Sequence, residues 1–180
     1  MVRRAVSPRL AAVLALAGAA SLAPLAARAQ GTAQVAALVD ISTTALSIGQ
    51  MQDVRFGNVI AGVPVTIDPR TNANAGQFVI HGNRNAQIRV TLALPATLTT
   101  GTWTMPITFS ATQGCWRRQA GQGGCTRFNP VNAVVQRIRN QNAPNNTFYV
   151  WVGGTVSPAA VQHTGVYLGT ITLTVAYTGN

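Results

Sequence analysis

The chain has 180 residues and a formal net charge of +10, because its 13 cationic side chains, all Arg, face only three carboxylates, all Asp. Three Asp and two His supply little for acid–base catalysis, and they fall short of the three or four ligands that a metal site requires. We therefore expect a protein without enzymatic activity, metal or cofactor.

The first 29 residues have the pattern of a secretory signal peptide. Basic residues (Arg3, Arg4, Arg9) precede an apolar stretch over residues 10–22 and the small-residue sequence Ala27-Arg28-Ala29. Cleavage before Gln30 leaves 151 residues, enough for a single domain, with nine Arg and three Asp. No later segment has 18 consecutive apolar residues, so we expect no transmembrane anchor. The predicted location is the periplasm, the cell surface or the medium.

Residues 30–180 show the alternation of an all-β protein rather than helical periodicity. Turn-forming residues separate short apolar runs, as at 68–72. The predicted strands cover residues 35–41, 54–60, 63–67, 77–81, 87–94, 103–110, 147–152, 155–157 and 165–177. This spacing predicts a single domain that forms a two-sheet antiparallel β-sandwich.

Residues 111–146 depart from this pattern and are predicted to form an irregular Arg-rich excursion, with 133–138 as its one strand candidate. The excursion holds Cys115 and Cys125, an even pair that predicts a disulfide in an exported protein. Arg117, Arg118 and Arg127 form a candidate patch for an anionic ligand, and the alternative is a solvated loop. The glycine-rich residues 121–124 lack the Lys and the strand–helix context of a phosphate loop.

Two groups of motifs resemble a known family. The sequence Arg55-Phe56-Gly57-Asn58-Val59, then 65–69 and 76–82, is similar to the opening of secreted bacterial proteins grouped as domain of unknown function 4402. The ending from Val152 to Tyr177 also resembles that family, so the similarity spans about residues 33–177. The resemblance implies structural roles for Phe56, Gly57, Gly76, Phe78, Gly153, Gly154, Gly165, Tyr167, Gly169 and Tyr177. It also implies the immunoglobulin-like or pilin-like form of the β-sandwich, a fold like that of spore coat protein U and chaperone-usher pilins.

The alternating segment at residues 33–41 precedes these motifs. Val35, Ala37, Val39 and Ile41 share one face and form a candidate donor strand for the sheet of a neighbouring subunit. In pilins, which the chain resembles, that exchange builds the fibre. The same segment could instead pair within its own sandwich, with residues 42–52 as a tether, and the sequence leaves both pairings open.

Aromatic residues at strand positions also have two interpretations. Trp103, Phe109, Phe148, Tyr149 and Trp151 either line a carbohydrate site or fill the core, and their strand positions favour the core. No G-x-S-x-G turn supports a hydrolase.

Together these features predict an exported structural or assembly protein of the cell surface, similar to a fimbrial or coat subunit. Self-association, a related subunit or a periplasmic chaperone are the expected partners. The alternative is a secreted module that binds an anionic polysaccharide or another envelope component through the Arg-rich loop. We expect no specific nucleic-acid partner.

Overall fold

The computed structural model describes residues 45–139 and 146–179. The predicted signal peptide at 1–29 and the candidate donor strand at Val35, Ala37, Val39 and Ile41 lie outside these residues. The described residues form twelve strands: β1 (Ser47–Gln52), β2 (Val65–Ile67), β3 (Gly76–His81), β4 (Gln87–Ala93), β5 (Thr97–Thr100), β6 (Trp103–Thr108), β7 (Gly114–Arg117), β8 (Thr126–Phe128), β9 (Val134–Arg137), β10 (Thr147–Val152), β11 (Gly154–Val156) and β12 (Thr172–Tyr177).

The strands form three antiparallel sheets, which confirms the all-β prediction and is consistent with a β-sandwich. The five-stranded sheet has the order β1-β3-β10-β7-β8, the four-stranded sheet β2-β11-β6-β5, and the three-stranded sheet β12-β4-β9. Strands β10 and β11 are separated only by Gly153, so one continuous run passes from the first sheet to the second. This passage connects interior strands of the two sheets.

The main core lies between the five-stranded and three-stranded sheets. Its fully buried members include Ile80 on β3, Ile88 on β4 and Phe148 on β10. A second, smaller cluster consists of Met105, Ile107 and Val156 on the four-stranded sheet. The alternation that predicts strands also predicts these inward positions, because side chains on a strand point to opposite faces in turn.

Several predicted boundaries are wrong. Residues 54–60, predicted as a strand, form an irregular segment, whereas β1 occupies 47–52, part of the predicted tether. The short strand β5 was not predicted. The closing strand begins at Thr172 instead of Gly165, and the residues before it make a single bridge, Thr99 to Leu168. The inward parity predicted for Leu173, Val175 and Tyr177 is confirmed.

The stretch at 111–146 is more regular than predicted. It contributes β7 and β8 to the five-stranded sheet and β9 to the three-stranded sheet. β9 lies within the predicted candidate at 133–138. Alternation of apolar and polar residues does not reveal short strands rich in Gly, Arg and Gln, because their inward and outward side chains differ little in polarity.

Among residues 45–139 and 146–179, no helix has the length and apolar character needed to cross a membrane.

Candidate assembly groove

A groove of about 920 Å³ runs beside the small core cluster. One wall is the segment 50–59, which contains the end of β1, and the other is the segment 162–171, which leads into β12. The floor includes the partly buried side chains Phe78 and Leu98 and the buried side chain of Met105. The groove therefore opens between the end of β1 and the segment that leads into β12.

Within residues 45–139 and 146–179, the core is incomplete on this side of the molecule. Ile171, Val175 and Tyr177 pack against the main cluster, yet each remains only half-buried. Residues at equivalent inward positions on central strands, such as Ile80, are fully buried. The difference arises because β1 and β12 each have a neighbouring strand on one side only within the described residues.

The free edge of β12 carries none of the features that normally protect an edge. Its residues Thr172–Tyr177 include no charge and no Pro, and its ladder with β4 runs without a bulge. The edge of β1 differs, since its register with β3 shifts between Gln50 and Gln52. Charges, Pro and bulges are the usual means by which edges avoid pairing with another strand. Within the described residues, the outer edge of β12 therefore lacks these protections.

The wall at 162–171 is fastened to the four-stranded sheet. The Tyr167 hydroxyl donates to the carbonyl of His163 at 2.8 Å and accepts from Gln162 Nε2 at 2.6 Å. The backbone groups of Thr99 and Leu168 exchange two hydrogen bonds, at 2.8 and 2.9 Å. Leu168 and Val166 nevertheless remain largely exposed, so this wall presents apolar side chains at the groove mouth.

The family-motif residues converge on this groove. Seven of the ten line it: Phe56, Gly57, Gly76, Phe78, Gly165, Tyr167 and Gly169. Gly153 and Gly154 lie at the junction of β10 and β11, and Tyr177 ends β12. The hydroxyl of Tyr177 accepts a hydrogen bond from the backbone N–H of Asn83 at 2.7 Å, which links the end of β12 to the turn after β3. Motifs that are distant in sequence thus build one site.

Cys115 and Cys125 form the predicted disulfide, with a Cα–Cα distance of 5.7 Å. Both are buried beside Trp151. The guanidinium of Arg117 closes the same loop by donating to the carbonyls of Gly121 and Gly123 and to Gln119 Oε1. Arg117 is therefore a structural component of the disulfide loop.

The other two arginines of the predicted patch point elsewhere. Arg127 forms a salt bridge with Asp68 at 2.7 Å and donates to the carbonyl of Thr112. Arg118 stacks over Trp116 and donates to the Arg137 carbonyl and Gln136 Oε1 on β9. Arg117 and Arg127 lie on one face of the β7–β8 pair and Arg118 lies against the other, so the three do not form one patch.

Asp68 and Arg118 both have shifted pKa values. Burial raises the pKa of Asp68, but hydrogen bonds from the Arg127 side chain and the Arg70 backbone outweigh it and hold the pKa below its ordinary value. Desolvation lowers the pKa of Arg118, and the charge of Arg139 lowers it further. Arg118 therefore lies beside a like charge.

The aromatic residues divide between core and surface. Phe148 and Trp151 are fully buried, as the core interpretation predicts. Trp103 contradicts that interpretation: it is 52% exposed and stacks on His163 at 4.8 Å. It is the first residue of β6, where the sheet ends and an inward position no longer has a partner layer above it.

No cluster of three or more His, Cys, Asp or Glu side chains with metal-binding geometry occurs among residues 45–139 and 146–179. His163 lies on the groove wall and His81 ends β3.

The family model described as "Domain of unknown function (DUF4402)" matches residues 41–177. The chain belongs to this family. No curated protein matches it. The match includes every described strand and both walls of the groove, so the DUF4402 domain and the sandwich are the same unit.

Proposed function

We propose that this DUF4402 protein is an exported structural subunit of the cell surface and that it self-associates by strand addition, in the manner of a pilin. The observation that carries the proposal is the unprotected edge of β12 beside a groove with an apolar floor. An extended segment added there pairs its backbone with β12 and inserts alternate side chains into the groove.

The occupant that fits is the segment at 33–41 of a second copy. Its odd residues, Val35, Ala37, Val39 and Ile41, are all apolar. The segment ends three residues before the described part of the chain begins and carries one charge, Asp40. A donor and an acceptor in the same molecule allow each copy to complete the next.

The direction of the strands separates this pairing from closure within one molecule. The side chains of Leu46 and Tyr177 both lie beside Gly82, whereas Gln52 and Ile171 both line the groove. The start of β1 is therefore close to the end of β12, so the two strands run in opposite directions. A segment folding back from Ser47 runs antiparallel to β1 and hence parallel to β12. A segment from a neighbour has no such constraint and can form the antiparallel ladder, which is the more stable per residue.

The test compares the exported protein with a variant lacking residues 30–42, by molar mass in solution and by negative-stain microscopy. We expect oligomers or fibres from the complete protein and monomers from the truncated one. A synthetic peptide of residues 30–43 should bind the truncated protein and block its capture by complete chains. Monomers in both samples, with no peptide binding, would refute self-association by this segment.

The alternative function, recognition of an anionic ligand by the predicted Arg-rich loop, has weaker support. Arg117 and Arg127 donate to groups of the protein itself, so a ligand would have to compete with bonds already made.

A further inference from the structure

A basic surface that differs from the predicted patch lies on the three-stranded sheet, and the sequence does not reveal it. In the β4–β9 ladder, Gln87 pairs with Arg137 and Arg89 pairs with Val135. Arg89 and Arg137 thus occupy outward positions on a diagonal, with Cα atoms about 7–8 Å apart. Both are exposed. The alternate positions of the two strands, Ile88 and Val90 on β4 and Val134 on β9, are buried in the core.

Three more arginines surround this pair. The turn at 83–86 continues the ladder, since the Asn85 N–H donates to the Ile138 carbonyl at 2.6 Å and the Ile138 N–H to the Ala86 carbonyl at 3.0 Å. This brings exposed Arg84 and Arg139 to the same end of the sheet. Arg118 reaches the outer edge of β9 through its bond to the Arg137 carbonyl at 3.0 Å. We call Arg84, Arg89, Arg118, Arg137 and Arg139 the arginine face.

No carboxylate neutralises this face within the described residues. The one salt bridge among residues 45–139 and 146–179 joins Arg127 to Asp68, and the other described acid, Asp53, lies on the groove wall. The proximity of Arg139 lowers the pKa of Arg118, which indicates that like charges are held close together. Arg118 and Arg137 donate to groups of the protein itself, whereas no side-chain hydrogen bond is recorded for Arg84, Arg89 and Arg139. With no carboxylate partner among the described residues, the five guanidinium groups create a positive potential that a polyanion can relieve.

We propose that the arginine face binds an anionic polysaccharide bearing carboxylate or sulfate groups. Guanidinium groups donate paired N–H bonds to the oxygen atoms of carboxylate and sulfate groups, and the outer face of three strands suits an extended chain. The sheet's outer positions add hydroxyl and amide groups from Thr91, Thr174 and Gln87, which can hydrogen-bond to sugar hydroxyls. Export to the cell surface, part of the proposed function, would place the face among such polymers.

Nucleic acid fits the face less well. Proteins that bind single strands combine basic groups with aromatic rings on which bases stack. The aromatic ring that contacts one of these arginines, Trp116, has Phe148 stacked at 5.2 Å and the Arg118 guanidinium at 5.0 Å. A base would have to compete with these contacts to stack on Trp116.

The test measures binding of the exported protein to heparin and to polygalacturonate, with neutral dextran and duplex DNA as comparisons. Arg89→Gln combined with Arg139→Gln removes two charges from the arginine face without removing a hydrogen bond that the structure records. Arg70→Glu changes the net charge by the same two units at an exposed position outside this face and the groove, and is the matched control. Unfolding temperatures and molar masses of both variants establish that fold and assembly are unchanged.

We expect the face variant to lose about tenfold or more in affinity for both polysaccharides, with a weaker salt dependence, and the control to lose less than about threefold. Equal losses in the two variants would show that only net charge matters and would overturn the proposal. Binding to duplex DNA tighter than to either polysaccharide, or no binding to the polysaccharides, would overturn it equally.

Discussion

The α-carbon of Gly153 faces the carbonyl oxygen of Ile67 so closely that a Cβ atom on Gly153 would lie 2.0 Å from it. Gly153 stands at the point where β10 becomes β11, and its own N–H donates to the carbonyl of Gln113 at 2.9 Å. Two backbones can approach in this way only when the residue between the sheets has no side chain.

Gly153→Ala is therefore expected to destabilise the fold by more than about 4 kcal/mol or to prevent folding, because the obstacle is backbone and cannot rotate away. Gly123→Ala is the matched control, since a Cβ at Gly123 meets no atom within 4 Å. Urea unfolding of both variants measures the difference. A stable Gly153→Ala protein would show that the β10–β11 passage differs from the one described.

The disulfide gives a second prediction. Cys115 and Cys125 are ten residues apart, and closing so short a loop is expected to contribute about 2–3 kcal/mol. Replacing both with Ala should lower the free energy of unfolding by that amount and leave the signal of the buried Trp151 nearly native. Urea titration with fluorescence detection tests both parts, and reduction of the wild-type protein should reproduce the loss of stability.

The alternation of β3, β4, β6, β10 and β12 allowed these strands and their inward residues to be predicted. The same test failed for β1 and for the segment 54–60. β1 has the sequence Ser-Ile-Gly-Gln-Met-Gln, with little contrast between faces, and its burial is weak because it is an edge strand. The segment 54–60 alternates well, but Gly57 adopts φ of 70°, outside the range of a strand, and the segment instead forms a groove wall.

The site was predicted only in part. The motif residues were expected to be structural, and their convergence on a groove depends on how distant segments pack, which a sequence pattern does not contain. The arginines illustrate the same limit. Arg117 and Arg118 are adjacent in sequence but serve a loop and a sheet edge respectively, while Arg89 and Arg137 are 48 positions apart and become diagonal neighbours through the β4–β9 register.

The Asp68–Arg127 pair predicts a dependence of stability on pH. The pKa of Asp68 is lower in the folded protein than its ordinary value of about 3.8, so the ionised carboxylate favours the folded state. This contribution is complete above the ordinary pKa and is lost as the pH falls through the lower, folded value. Because both side chains are about one-third exposed, we expect only about 0.5–1 kcal/mol.

Asp68→Asn keeps an oxygen that can accept the Arg70 N–H but loses the charge, so it should reduce stability by that amount at pH 7. At strongly acidic pH the wild-type carboxyl is neutral as well, and the two proteins should converge. Urea unfolding at both pH values measures the effect. Asp53→Asn, whose carboxylate contacts Gln50, removes an equal charge and serves as the control. An undiminished difference at acid pH would contradict the assigned role of the salt bridge.

The last prediction concerns which face of the segment at 33–41 enters the groove. Ala36 and Ala37 are adjacent and chemically identical, but the predicted alternation assigns Ala37 to the same face as Val35, Val39 and Ile41 and Ala36 to the other. If alternate side chains insert beside β12, Ala37→Asp places a charge against an apolar floor, and burying an unpaired carboxylate there is strongly unfavourable. Ala36→Asp leaves the carboxylate in solvent.

We therefore expect Ala37→Asp to abolish oligomers and Ala36→Asp to retain them, with the same unfolding temperature for the two sandwiches. Equal effects would show that electrostatic repulsion between copies, and not insertion into the groove, controls assembly, since both variants carry the same added charge.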